Sequence, residues 1–181
     1  MSQKQGKNVN HPLTLLFLGD SLIDYADWPR RLPHYNVISS GMPGERTEEL
    51  LWRLPRTISE PLPDMIIVMT GTNNILFGDT SFIESLKEIV ELLSHSAPNA
   101  QRIITSLLPY EIPGFQESIC QVNDSLRAIA DQSGSYYFDL YEKFKQTGET
   151  MFEYDGVHLS EAAYRLWSSQ LETYLFSRLA K

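Results

Sequence analysis

The chain has 181 residues and a single cysteine, carries a formal net charge of −8, and is 42% hydrophobic and 21% charged. That length fits one domain with a substantial core, and the ordinary composition excludes fibrous and disordered classes. The acidic balance disfavours nonspecific nucleic-acid and anionic-membrane partners, and the lone Cys120 excludes an intramolecular disulfide or a multi-cysteine zinc site.

Residues 1–10 are polar and read as a flexible N-terminal tail, with a single domain over 11–181. The first apolar run, Leu13–Leu18, is too short for the apolar stretch of a signal peptide, and no segment approaches the roughly 20 apolar residues of a membrane span. A cytoplasmic protein without stable membrane association is expected. Leu13–Leu18 is continuous enough for a strand buried on both faces. Tyr35–Ser39 reads as a short second strand, and Met65–Thr70 as a third buried one entered through Pro61 and Pro63. Arg102–Leu107 and Tyr136–Leu140 are the fourth and fifth strands.

Helical spacing fills the gaps. Thr47–Ser59 places Leu50, Leu51, Leu54 and Ile58 on one face, and Pro55 is expected to kink or shorten it. Ser81 and Glu84 have the spacing of a capping box, ahead of Ile83, Leu86, Ile89, Val90 and Leu93. Gln116–Gln132 carries Ile119, Val122, Leu126 and Ile129, with Gly134 as its stop. Ser160 is placed to cap a last helix that buries Leu166, Trp167, Leu171, Tyr174 and Leu175. Such alternation argues for an α/β fold, a parallel sheet covered by helices on both faces.

Ligands of open parallel sheets bind beyond the carboxyl ends of the strands. There the sequence places Gly19-Asp20-Ser21, Gly41-Met42-Pro43-Gly44, Gly71-Thr72-Asn73-Asn74 and Asp155-Gly156-Val157-His158. Taken alone, each has a structural reading: a serine cap, positive-φ turns, a capping asparagine, a surface ion pair or part of a metal site. A metal needs further ligands, and His11, His34 and His95 lack the spacing to supply them. Taken together, the groups suit acyl transfer. A serine hydroxyl needs an adjacent base, histidine suits that task, and an aspartate three residues before it can orient the ring. Ser21, His158 and Asp155 are therefore the candidate nucleophile, base and orienting acid. The N–H groups of Ser21 and Gly44 and the amide of Asn73 are the candidate oxyanion donors. No Gly-x-Ser-x-Gly elbow and no Walker-type phosphate loop occurs.

These blocks resemble the SGNH hydrolases, also called GDSL lipases or esterases. Ser21 lies in an intact Gly-Asp-Ser-Leu, Gly44 precedes an acidic residue, Asn73 matches the third block, and Asp155 and His158 match the last. The resemblance runs from the first strand through the final helix. It implies a flavodoxin-like three-layer α/β/α sandwich with a five-stranded parallel sheet, and metal-free, cofactor-free hydrolysis through an acyl-enzyme. Gly44–Leu54, with its Leu-Trp-Arg-Leu, is similar to the acetylhydrolases of platelet-activating-factor-type esters. One departure stands out: the third block of the family usually ends in aspartate, and here Asn74 takes that place.

The expected substrate is a small-molecule carboxylic ester of short to medium acyl chain, with thioesters within the same chemistry. An O-acetyl esterase of acetylated carbohydrates and a non-catalytic ligand-binding module on the same fold are the rival readings. Ile75, Phe77, Ile112 and Phe115 are the candidate substrate-binding residues, set against packing on adjacent helices; Trp28 and Met42 are weaker candidates.

Overall fold

The computed structural model describes residues 12–59 and 61–179, so the expected tail over 1–10 lies outside the described residues. The elements in chain order are β1 (Thr14–Gly19), α1 (Ser21–Asp24), α2 (Trp28–Arg31), β2 (Asn36–Gly41), α3 (Thr47–Thr57), β3 (Met65–Met69) and α4 (Thr72–Leu76). They continue with α5 (Ile83–Ser96), β4 (Gln101–Thr105), α6 (Gln116–Ser133), β5 (Tyr136–Phe138), α7 (Leu140–Lys145) and α8 (Glu161–Leu179). The five strands form one parallel sheet in the order β2-β1-β3-β4-β5. Helices α3, α5 and α6 pack in a row on one another, whereas α8 packs against α2 and α7. The sandwich is therefore three-layered, as its alternating pattern predicts.

Burial explains the strands. β1 and β3 are central and almost wholly enclosed, from Leu15 and Phe17 to Met65 and Met69, which is why they read as unbroken apolar runs. β2 is an edge strand with Ile38 exposed, and it carries three polar residues in six. The chain leaves β1 in one direction for β2 and later returns to its other side as β3. The carboxyl end of β1 is thus the topological switch point, where ligands of such sheets bind.

One local expectation holds and two change. α3 includes Pro55 but stops at Thr57, two residues short of Ser59, in line with the shortening expected of the proline, its last turn closed by the Ile58 N–H on the Leu54 carbonyl. The fifth strand stops at Phe138, because the Asp139 carboxylate accepts from the Glu142 N–H and starts α7. No capping box forms at Ser81: its hydroxyl donates to Asp79 Oδ1 at 2.7 Å, and α5 begins behind Phe82 without a side-chain cap. Ser160 does cap the last helix, accepting from the Ala163 N–H at 3.2 Å. Trp28 is a core residue, stacked on Phe17 with centroids 4.2 Å apart and donating to the Ile23 carbonyl. It does not face the rim.

Candidate active site

The strand-to-helix turn after β1 presents Ser21. Asp20 caps α1 by accepting from the Leu22 N–H at 3.0 Å, and Ser21 becomes the first residue of the helix, only 7% exposed. The turn rests on the end of β2 at Gly41. A Cβ there would lie 2.4 Å from the Asp24 nitrogen and 2.8 Å from the Asp20 carbonyl, so only glycine permits the approach.

His158 comes from the far end of the chain on a small hairpin. Phe152 and Leu159 form an antiparallel bridge, and the Glu153 N–H donates to the His158 carbonyl at 2.7 Å. At the tip, Asp155 Oδ1 accepts from the N–H groups of Val157 and His158, each at 2.9 Å, while Oδ2 is 2.6 Å from His158 Nδ1. The other ring nitrogen, Nε2, is 3.1 Å from Ser21 Oγ. Serine, histidine and aspartate thus form one hydrogen-bonded line. Asp155 is held down to about 2, chiefly by its bond to His158 and then by the Val157 N–H. It stays an acceptor across the neutral range and fixes the ring tautomer with hydrogen on Nδ1, leaving Nε2 to accept from the serine.

The second and third rim loops meet one another. Gly44 has φ +78°, a conformation few other residues adopt. Asn73 Nδ2 donates to the Glu45 carbonyl at 2.9 Å, tying the two loops together with one of its two hydrogens. The N–H groups of Ser21 and Gly44 are not spent on the backbone or side chains of the described residues. Glu45 itself is buried in an ion pair with Arg53, whose guanidinium also donates to the Ser40 hydroxyl and carbonyl at 2.7 and 2.8 Å. The loop carrying Gly44 is therefore anchored to both β2 and α3.

Below the serine lies a buried polar group. Asp20 is enclosed, and burial pushes its carboxyl up to about 6 against the opposing bond from Leu22. The Thr72 hydroxyl is 2.8 Å from the phenol of Tyr110, which burial keeps in its neutral form. Tyr164 of α8 donates to the Leu22 carbonyl at 3.1 Å, and so couples the helix behind His158 to the helix that starts at Ser21.

The residues expected to bind substrate scatter. Ile75 is buried in the core, so its side chain does not reach an open rim. Phe77 is 77% exposed at the end of α4. Ile112 and Phe115 are half-buried on a loop whose Glu111 N–H donates to the Gly156 carbonyl, beside the His158 hairpin. Phe115 packs partly on the core. Sequence reasoning gave no role to Tyr25, whose ring lies 5.3 Å from that of His158; an aromatic four residues after a serine gives no such signal. It also gave none to Trp52. Trp52, Met42 and Pro43 line a groove of about 660 Å³ that opens beside Gly44, with Glu48 and Arg53 on its walls. Among the described residues no cluster of three or more His, Cys, Asp or Glu is placed to hold a metal, and no helix is long and apolar enough to cross a membrane.

Comparison with known proteins identifies the family. The model of the GDSL-like lipase/acylhydrolase family matches residues 17–166. Human platelet-activating factor acetylhydrolase IB subunit alpha1 is 28% identical over 178 residues, covering 92% of this chain and 77% of the relative. A Streptococcus pneumonia protein superposes with a TM-score of 0.82 at 22% identity, over 93% of this chain and 86% of that one. A GDSL-like lipase of Bacteroides thetaiotaomicron gives 0.76 at 19% identity, over 91% and 88%. The chain belongs to the GDSL-like lipase/acylhydrolase family, and it is a hydrolase.

Proposed function

We propose that this hydrolase cleaves carboxylic esters of short to medium acyl chain through an acyl-enzyme on Ser21. The observation that carries the reading is the line from Ser21 Oγ through His158 to Asp155, at 3.1 and 2.6 Å. In the first half-reaction Ser21 Oγ attacks the ester carbonyl carbon while His158 Nε2 takes its proton. The carbonyl oxygen becomes an oxyanion facing the N–H groups of Ser21 and Gly44 and the free hydrogen of Asn73 Nδ2. Collapse breaks the bond to the alcohol, which leaves with the proton from His158. Water then attacks the acyl-enzyme with His158 again as base, and Ser21 is regenerated. Asp155, anionic throughout, stabilises the imidazolium formed in each half.

The groove between Met42, Pro43 and Trp52 receives one arm of the ester, since it opens directly beside Gly44 and its mouth is mostly apolar. A short acyl group is supported by the human relative, named for removing acetyl from platelet-activating factor. The test is hydrolysis of p-nitrophenyl esters from acetyl to long acyl chains by wild type and Ser21→Ala, with acetylated sugars in the same panel. Turnover by wild type alone, strongest on short chains, is expected. Turnover that survives Ser21→Ala overturns the mechanism, and a preference confined to the sugars transfers the reading to carbohydrate O-deacetylation.

A further inference from the structure

The residue where this chain departs from its family's third block is also a heavily hydrogen-bonded one. Asn74 is completely buried. Its Oδ1 accepts from the Thr47 N–H at 3.0 Å and from the Thr47 hydroxyl at 3.2 Å. Its Nδ2 donates to Glu48 Oε2 at 3.0 Å and to Asp79 Oδ2 at 2.9 Å. The amide orientation follows from the partners: a backbone N–H can only donate, and two carboxylates can only accept. Thr47 opens α3, three residues past Gly44, and Asn74 directly follows Asn73. Two adjacent amides thus clamp the two loops that carry the proposed oxyanion donors, Asn73 on the Glu45 carbonyl and Asn74 on Thr47.

We infer that Asn74 is a positioning residue for the oxyanion face, and that the site requires an amide there because Glu48 and Asp79 converge on its NH₂ group. The inference rests on the esterase reading and names a further residue within it. A carboxylate at this position would keep the contact to Thr47, but its second oxygen would face the Glu48 and Asp79 carboxylates with no hydrogen between them. Three like charges around an enclosed atom favour protonating one of them. The neutral acid restores a single O–H donor, so it nearly reproduces the amide. The surrounding charges are Glu48 from α3 and Asp79 from the turn after α4, whose own carboxyl is held low mainly by its bond from Asn74. Arg46 lies near Asp79, Glu45 is neutralised by Arg53, and the buried Asp20 lies beside Thr72.

The test compares wild type, Asn74→Asp and Asn74→Ala by kcat and KM on p-nitrophenyl acetate, and by thermal melting, from about pH 5 to about pH 8. The ratio of wild-type to Asn74→Asp kcat is expected to grow from near unity at the acid end to roughly 10- to 100-fold at the alkaline end, with KM little changed. Asn74→Ala should be reduced by a similar factor at every pH. A wild-type to Asn74→Asp ratio that is flat with pH, or an effect confined to KM, overturns the inference. Melting keeps the question separate from catalysis. The difference in Tm between wild type and Asn74→Asp should widen as pH rises, even if wild type proves inert toward esters and toward a fluorophosphonate serine probe, which would sink the esterase reading instead. Should Asn74→Asp fail to fold near neutrality, recovery of the fold in acid supports the inference, and failure at every pH overturns it.

Discussion

The Tyr164 phenol donates a 3.1 Å hydrogen bond to the carbonyl of Leu22, 142 positions back along the chain and next to Ser21. α1 is only four residues long, so this carbonyl gains from α8 a partner that its own short helix does not supply. Tyr164→Phe removes one hydroxyl, leaves a buried acceptor unpaired, and should lower stability by about 1–2 kcal/mol. Because the same bond sets Ser21 against the element following His158, kcat should fall by roughly three- to tenfold while KM holds. Denaturant melts and ester kinetics on the one variant check both. Lost stability with unchanged kcat would make the bond purely structural.

Asn73 spends one amide hydrogen on the Glu45 carbonyl and keeps a second for a ligand. Asn73→Ala should cost about 100- to 1000-fold in kcat if that hydrogen meets the oxyanion. Binding of a non-hydrolysable ketone analogue of the ester separates this from a loosened loop, because only an oxyanion role weakens a ketone that adds to Ser21 more than one that does not.

Asp20 gives the pH dependence of the fold a sign. Its carboxyl lies at about 6 in the folded protein against an ordinary value of 3.8, raised by burial. The neutral form is the one the fold favours, so its contribution is complete below the unfolded value and is lost as pH rises from about 4 through about 6. Asp20→Asn keeps an acceptor for the Leu22 N–H and carries no charge. It should therefore gain on the order of 2 kcal/mol over wild type at pH 8 and nearly nothing at pH 4. Melting curves at the two pH values decide the matter; equal shifts at both would mean that Asp20 does not titrate in this window.

Trp52 is 73% exposed, with the Arg56 guanidinium over its ring at 5.0 Å. Its removal should leave stability within about 0.5 kcal/mol of wild type. If the groove holds one arm of the ester, Trp52→Ala should raise KM several-fold for longer esters and leave acetyl esters alone. An unaltered chain-length profile would detach the groove from the substrate.

Much of this was legible in the residues themselves, and the exceptions have identifiable causes. β1 and β3 are enclosed on both faces, so Leu15 to Leu18 and Met65 to Met69 announce themselves as apolar runs. The four rim segments were legible because glycines and small polar residues cluster where strands end. Leu140 extended the fifth apolar run past Asp139, whose capping role only local geometry reveals. At Ser81 the spacing of a capping box was present, but Asp79, two residues back, competed for the hydroxyl. Ile75 was misjudged because it stands between Asn73 and the exposed Phe77, while its own side chain is enclosed in the core. Trp52 lies on the outer face of an amphipathic helix, and no pattern in α3 reveals which loop that face opposes. The partners of Asn74 come from three separate segments, so its departure from the family pattern was visible while its compensation was not.

The Ser21 hydroxyl and the His158 ring meet across 137 positions of sequence. A ribosome therefore finishes the whole of the sheet, β1 through β5, before the base emerges at all. On the proposed mechanism the nascent chain is chemically silent during that interval, and the first turnover would coincide with docking of the last hairpin and α8. Hydrolysis of a fluorogenic ester thus doubles as a clock for the final step of assembly, one that needs no label on the protein.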